Sequence, residues 1–231
     1  MGPESTLTPR EDIAPRVPAN SPLEAIDGSV LGASAGLVLR FARDDDAAAI
    51  VALISAVWSE YPGKTLVAAA DMPELLQPAA TYAQCDGRFW VVEANGRIIG
   101  TIALQPSAEP GVVELQKLYV AREARRNGLG GFLCQLVERE ARRRRARAIE
   151  LWSDVKLLDA HHRYEQLGYR RGEALKTYND TSGTVRYYYR KALDVELPDH
   201  PDDPNGGRDE APEMRDRRQE MLHPDAATHL A

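Results

Sequence analysis

The chain has little cysteine: Cys85 and Cys134 are the only two among its 231 residues. Two isolated cysteines are too few for a disulfide framework, and neither has the close second cysteine or histidine that zinc sites use. His161 and His162 are adjacent, but no other ligand candidates are arranged around them. The sequence therefore predicts no metal site, and Cys134 is interpreted as a small core residue.

Long hydrophobic runs are also missing. No segment approaches the roughly 20 apolar residues that a membrane-spanning helix requires. The first residues lack the apolar stretch that is typical of a signal peptide. These two absences favour a cytoplasmic protein without a membrane partner.

An excess of positive charge is missing as well. The formal net charge is −6, whereas nucleic-acid-binding domains usually carry a strongly basic face. The one basic run, residues 142–145 with Arg147, lies at the end of a predicted helix, where arginines complement the helix dipole and remain solvated. A nucleic-acid patch is the alternative for this run, but no aromatic residues are interleaved to stack on bases. We therefore predict no nucleic-acid partner.

Both ends of the chain lack hydrophobic periodicity. Residues 1–35 are rich in Pro, Ser, Ala, Gly and acidic residues, and residues 194–231 are rich in Pro, Asp, Gly, Arg and Glu. Such compositions are typical of disorder, and we predict a disordered N-terminal extension and a disordered charged C-terminal tail. Residues 36–193 alternate strand-like and helix-like patterns, and about 150 residues suffice for one well-buried core. We predict a single folded domain there.

The folded region is organised around residues 112–141. Val112–Val120 is predicted to be a buried strand because apolar and β-branched residues dominate it. A turn dense in arginine and glycine follows at 125–131, and then a helix whose apolar residues recur every three or four positions. Strand, turn and helix in this order bring free backbone N–H groups and the positive end of the helix dipole to one point.

This turn predicts an anion site. Gly128 and Gly130 let the backbone approach a ligand closely, and Arg125 and Arg126 add full positive charges, so a phosphate or pyrophosphate is the expected ligand. A P-loop would need Lys followed by Ser or Thr after the glycines, and a dinucleotide fingerprint would need glycine where Leu133 stands. Neither pattern is present.

The remaining pattern, Arg-x-x-Gly-x-Gly at Arg125, Gly128 and Gly130, resembles the pyrophosphate-binding motif of the GNAT family of N-acetyltransferases. Residues 160–169, AHHRYEQLGY, are similar to the family's A-x-x-x-Y-E-x-x-G-[F/Y] segment and follow in the family's order. The resemblance covers about residues 38–193. It implies an α/β fold with a mixed, mostly antiparallel, twisted sheet of about six to seven strands flanked by about four helices.

The resemblance also implies acetyl-CoA as co-substrate. The backbone of Leu118, Tyr119 and Val120 would hold its pantetheine arm, and an N–H group there would polarise the thioester carbonyl. The pyrophosphate would be bound by the turn and the start of the helix, through Arg125, Arg126, Asn127, Gly128, Leu129, Gly130 and Gly131.

Two residues are candidates for proton transfer. Tyr164 stands where the resembled family has its general-acid tyrosine, and a phenol with a pKa near about 10 can protonate a departing thiolate. Alternatively, Tyr164 is an ordinary residue of an amphipathic helix and has no catalytic role. Glu114 on the central strand is the candidate general base, acting through water. Alternatively, its carboxylate points away from the site and pairs with an arginine.

The acceptor is expected to be a primary amine of a small molecule that receives the acetyl group by direct transfer. The site of this acceptor is predicted to be shaped by Glu60, Tyr61, Asp71 and Glu74. The three carboxylates would suit a cationic molecule. The alternative is that these residues belong to the solvated surface and contact no acceptor. A homodimer is a further expectation from the resemblance. The alternative to an enzyme is a non-catalytic acyl-CoA-binding or regulatory module of the same fold.

Overall fold

The structure is a computed structural model that describes residues 29–30, 36–178 and 180–194. The predicted disordered end segments, 1–35 and 194–231, therefore lie almost entirely outside the described residues. Ser29–Val30, within the first of them, forms a short strand that pairs antiparallel with Val38 and Leu39.

The described strands form one sheet. Their bounds are β1 Ser29–Val30, β2 Leu37–Phe41, β3 Arg88–Ala94, β4 Arg97–Pro106, β5 Val112–Val120, β6 Ala148–Asp154, β7 Arg170–Thr177 and β8 Val185–Ala192. They lie in the order β1-β2-β3-β4-β5-β6-β8-β7, and all neighbours are antiparallel except β5 and β6. The predicted mixed, mostly antiparallel sheet is confirmed, with eight strands in place of the expected six to seven.

Five α-helices accompany the described strands. They are α1 Ala47–Ser59, α2 Ala68–Asp71, α3 Pro78–Gln84, α4 Leu129–Arg143 and α5 Leu158–Gln166. Acidic residues precede α1: Asp44–Asp46 form a 3-10 turn before it, and the Asp46 carboxylate accepts the Arg43 N–H at 2.7 Å. Helix α4 buries an apolar face that includes Leu133 and Val137, as its three- and four-residue spacing predicts.

The hairpin between β3 and β4 has the turn that an Asn-Gly pair favours. Asn95 and Gly96 both have positive φ, 49° and 74°, as a two-residue type I′ turn requires. Ala94 pairs with Arg97 across it. The hairpin places β4 next to β5, with β3 on the far side of β4.

The arginines at the end of α4 are paired with acidic residues. Arg143 and Arg144 contact Glu140 at 2.7 and 2.8 Å, and Arg147 contacts Glu109 at 2.5 Å. Their charge is thus largely offset within the chain, which agrees with the interpretation of the basic run as a solvated helix end.

The parallel pair β5–β6 opens along its length. Pairing covers only residues 112–114 with residues 148–150, and beyond Glu114 the facing edges of the two strands separate. On its other side β5 is irregular where it passes Thr101 and Ala103, and Lys117 there has a φ of 52°. Because a bulge bends its strand, the distortion helps to turn β5 away from β6. The opening leads to the site described next.

Candidate active site

Two cavities meet at the opening between β5 and β6. The larger, a groove of about 900 Å³, runs along the turn before α4 and the start of α5. The smaller, about 290 Å³, lies under the end of α1 and the α2 segment. Tyr61, Leu118, Tyr119 and Leu157 line both. A ligand that fills the groove can therefore reach the smaller cavity.

The turn before α4 presents bare backbone to the groove. Gly128 adopts a φ of 85°, a left-handed conformation that favours glycine, and Arg126 is left-handed as well. Leu129, Gly130 and Gly131 are the first helical residues, so their N–H groups have no acceptor within the helix. This is the geometry of an anion site at a helix start.

Most predicted cofactor residues line the groove. They are Leu118, Tyr119, Val120, Arg125, Arg126, Gly128, Leu129 and Gly130. Asn127 and Gly131 lie beside the groove, in the turn and the first turn of the helix. The groove is also lined by two cations, Arg122 and Arg163. Sequence reasoning did not identify either as a cofactor contact. The position of Arg163, immediately before Tyr164 in the 160–169 segment, is a signal that could have identified it.

Arg125 has a structural partner. Its guanidinium donates two hydrogen bonds of 2.7 Å to the Glu60 carboxylate and one of 3.0 Å to the Val120 carbonyl. Arg125 thus fastens the turn to the end of α1 and to β5. Glu60, predicted to contact the acceptor, lines the groove instead of the smaller cavity.

Tyr164 lines the smaller cavity from α5 and is only 6% exposed. Its ring packs between those of Tyr169 and Tyr189, with centroids 5.8 and 5.7 Å away. Burial raises the pKa of its hydroxyl well above the usual value, because the phenolate would be poorly solvated. The group therefore keeps its proton at neutral pH.

Glu114 lines the same cavity, at the point where β5 leaves β6. Burial raises the pKa of its carboxyl, and Gln105 lies at 3.5 Å from one of its oxygens. The alternative for Glu114, an ion pair with an arginine, is not observed among the described residues. The structure thus brings Glu114 and Tyr164, 50 residues apart in sequence, to one cavity.

The other predicted acceptor residues also line the smaller cavity, but their carboxylates have partners. Asp71 accepts hydrogen bonds from the Val67 and Thr181 N–H groups at 2.7 and 2.9 Å. Glu74 forms an ion pair of 2.5 Å with Lys117. Tyr61 lines both cavities. Asp71 and Glu74 therefore hold loops and β5 in place around the cavity.

A buried lysine in this cavity was missed by sequence reasoning. The Lys64 ammonium contacts the Asp154 carboxylate and the Thr184 hydroxyl, and it lies 5.0 Å from the centre of the Trp58 ring. The two charged side chains are only 4% and 11% exposed. The pair joins the segment after α1 to the ends of β6 and β8, and nothing local in the sequence marks it.

Replacing Lys64 with Met is expected to lower the free energy of unfolding by about 3 kcal/mol, because it leaves the Asp154 carboxylate without its counter-charge. Urea denaturation measures this change. Combining it with Asp154→Asn is expected to recover part of the loss, since no charge is then left unpaired. A single variant as stable as the wild-type protein would contradict a coupled pair.

Metal and membrane features are absent from the part of the chain that the structure describes. No three His, Cys, Asp or Glu side chains are grouped there as metal ligands would be. None of its helices is long and apolar enough to span a membrane.

Comparisons with known proteins agree with this geometry. The model of the acetyltransferase (GNAT) family matches residues 42–169. A probable N-acetyltransferase, camello, from Xenopus tropicalis is 33% identical over 149 residues, which cover 60% of this chain and 67% of the relative.

Solved structures show the same fold. An acetyltransferase of the GNAT family from Staphylococcus aureus Mu50 superposes with a TM-score of 0.60 at 19% identity, covering 68% of this chain and 99% of its own. An acetyltransferase from Salmonella typhimurium, solved with its cofactor acetyl-CoA, gives 0.54 at 20% identity and covers 73% and 99%. By its sequence match and its fold, the chain belongs to the acetyltransferase (GNAT) family, and the prediction of an N-acetyltransferase is confirmed.

Proposed function

We propose that the protein transfers the acetyl group of acetyl-CoA directly to a primary amine of a small molecule. The observation that carries this proposal is the opening between β5 and β6, with the glycine turn and the start of α4 at one end and Tyr164 and Glu114 at the other. The Salmonella relative solved with acetyl-CoA supports the choice of co-substrate. The smaller cavity, about 290 Å³, lies at the low end of small-molecule sites, which supports a small acceptor.

The residues present fit acetyl-CoA in the groove. The N–H groups of Leu129–Gly131 and the charge of Arg126 suit the pyrophosphate, and Arg122 and Arg163, which also line the groove, would suit its other phosphate. The unpaired edge of β5 at Leu118–Val120 suits the amides of the pantetheine arm. One N–H group of that edge would polarise the thioester carbonyl, a contribution worth about 3 kcal/mol in comparable sites.

Tyr164 is proposed as the general acid. Attack of the amine on the thioester would form the C–N bond of a tetrahedral adduct. Collapse of that adduct would restore the carbonyl and break the C–S bond, and the departing sulfur would take the hydroxyl proton of Tyr164. Burial keeps that proton in place until the thiolate forms, because it raises the pKa of the phenol.

Glu114 is proposed as the general base, acting through water. An amine must lose a proton before or during attack, and Glu114 is the cavity carboxylate whose pKa is raised towards the pH at which a base works best. Glu74 and Asp154, by contrast, are tied to lysines.

Replacing Glu114 with Gln is expected to lower kcat/KM at pH 7 by about 10²-fold, with recovery at alkaline pH, where the amine loses its proton unaided. The wild-type pH profile should rise through a pKa above the usual Glu value of about 4.3. Because burial raises the pKa of Glu114 in the folded state above its value in the unfolded chain, the folded protein loses stability as the pH rises through the folded-state pKa. Thermal melts should therefore show Glu114→Gln gaining stability, relative to wild type, at pH 8 but not at pH 4. An unchanged pH profile would refute the role of Glu114.

Direct transfer is supported by the state of the cysteines. Burial raises the pKa of the Cys134 thiol to about 12, and Cys85 is exposed but lines neither cavity. With only these two cysteines in the chain, no thiolate is placed to form an acetyl-enzyme. Initial velocities should therefore give intersecting lines when both substrates are varied; parallel lines would contradict direct transfer.

The function is tested by calorimetry with acetyl-CoA, followed by release of free CoA with a panel of primary amines. Micromolar binding and amine-dependent release would support the proposal. Binding without turnover of any amine would favour the non-catalytic acyl-CoA-binding module, and no binding would refute both. The cytoplasmic location, the homodimer and the lack of a nucleic-acid partner stay predictions from the sequence.

A further inference from the structure

Arg186 is the second residue of β8 and lines the smaller cavity. The carbon of its guanidinium lies 3.9 Å from the centre of the Tyr178 ring. This close contact with an aromatic ring fixes the plane of the guanidinium while leaving its N–H edges available. Arg186 is thus a positioned cation at the wall of the cavity proposed for the acceptor.

Arg186 has no carboxylate partner among the described residues. Asp154 lies directly across from it in the β6–β8 pairing, but the Asp154 carboxylate contacts Lys64 and accepts the Lys156 N–H at 2.9 Å. Glu74 is paired with Lys117. A half-buried charge without a counter-ion is unfavourable, so a partner from outside the chain would be favoured there.

The remaining acidic groups of the cavity are also engaged. Asp71 accepts hydrogen bonds from backbone N–H groups, and one oxygen of Asp180 accepts those of Ser182 and Thr184 at 3.1 and 2.8 Å. The other oxygen of Asp180 is buried and has no hydrogen-bond partner among the described residues. Because Lys64 and Lys117 are paired with Asp154 and Glu74, Arg186 is the cation of this cavity without a carboxylate partner among the described residues, an arrangement that disfavours an acceptor with several ammonium groups.

Arg186 and Glu114 face the same side of the sheet. Glu114 pairs with Glu150 across β5–β6, and Glu150 pairs with Arg190 across β6–β8. Side chains alternate along a strand, so Arg186, four residues from Arg190, points to the same face as Glu114. A short molecule in the cavity can therefore place its amine towards Glu114 and an anionic group towards Arg186.

We propose that Arg186 binds a carboxylate of the acceptor, so that the amine acetylated by this protein is an amino acid or another small amine that bears a carboxylate. This inference rests on the proposed acetyl transfer and specifies its substrate class. The planar guanidinium presents two parallel N–H donors that match the two oxygens of a carboxylate, which a lysine in its place would not.

The test compares matched acceptors. We would measure kcat/KM with acetyl-CoA for free L-amino acids, for their α-amides and for the corresponding decarboxylated amines, in the wild-type protein, Arg186→Gln and Arg190→Gln. Arg190→Gln is the control, since it removes a positive charge from the same strand and the same face of the sheet. Arg190 pairs with Glu109 and lines neither cavity. Thermal melts check that each variant is folded.

The wild-type protein should prefer acids to amides by about 10- to 100-fold, and Arg186→Gln should erase that preference while Arg190→Gln keeps it. Equal turnover of acids, amides and decarboxylated amines by the wild-type protein would overturn the inference while leaving acetyl transfer intact. An equal loss for all acceptors in Arg186→Gln would also overturn it.

Absence of turnover would refute the proposed function, and binding would then test the inference separately. Calorimetry of N-acetyl amino acids and their α-amides against the CoA-saturated protein should show binding of the acids alone, lost in Arg186→Gln. Equal binding of acids and amides, or binding of neither, would overturn it.

Discussion

Tyr164→Phe is expected to lower kcat by about 10² to 10⁴-fold while acetyl-CoA binds as before, because the change removes only the proton offered to the departing thiolate. Phe retains the packing of the ring between Tyr169 and Tyr189, so the cavity wall is preserved. Steady-state release of CoA measures the first quantity, and calorimetry with acetyl-CoA measures the second.

Tyr169→Phe is the matched control for this experiment. The Tyr169 hydroxyl is buried next to Tyr164, has no hydrogen-bond partner in the described part of the chain, and lines neither cavity. Its removal should leave turnover unchanged and should not lower the melting temperature. If Tyr164→Phe retained wild-type kcat, the proton would have to come from water or another group, and the assignment of Tyr164 would fail.

The double variant Gly128→Glu, Gly130→Glu is expected to weaken acetyl-CoA binding by more than about 100-fold, because two carboxylates would occupy the site proposed for the pyrophosphate. A side chain at Gly128 would also be strained by about 1 to 2 kcal/mol, since its φ is 85°. Calorimetry with acetyl-CoA measures the affinity.

Two further variants separate charge from strain. Gly128→Ala tests the strain alone and should weaken binding much less than the double variant. Gln135→Glu adds a carboxylate to an exposed position of the same helix and should leave binding nearly unchanged. Wild-type affinity in a folded double variant would place the pyrophosphate elsewhere and remove the main support for the groove.

Local sequence was enough to predict the parts of the fold whose chemistry acts over a few residues. Asn95–Gly96 specifies a tight hairpin because both positions tolerate positive φ, and the central strand was predicted with its observed bounds, Val112–Val120. The conformation of the turn before α4 was predictable for the same reason, since Gly128 supplies a left-handed residue and the helix start supplies its own free N–H groups.

Side-chain partners across the fold were not predictable in this way. The sequence indicated that Arg125 would carry its charge to a phosphate and that Glu60 would contact an acceptor, yet the two form an ion pair between positions 65 residues apart. Asp71 and Glu74 were likewise expected to present free charge to the acceptor, but they are engaged by Thr181 and Lys117. An acidic residue in a sequence does not show whether its counter-charge lies elsewhere in the chain.

The sequence by itself thus determined the family and the conformation of the turn before α4, and it supplied the candidate acid, because each depends on residues adjacent along the chain. Only the tertiary structure decided which charges remain for a ligand. That outcome depends on how β5 separates from β6 and on where β8 begins, which bring Lys64 to Asp154 and leave Arg186 without a carboxylate among the described residues. Ion pairing requires contact within a few ångströms, and long-range packing alone sets which side chains come that close.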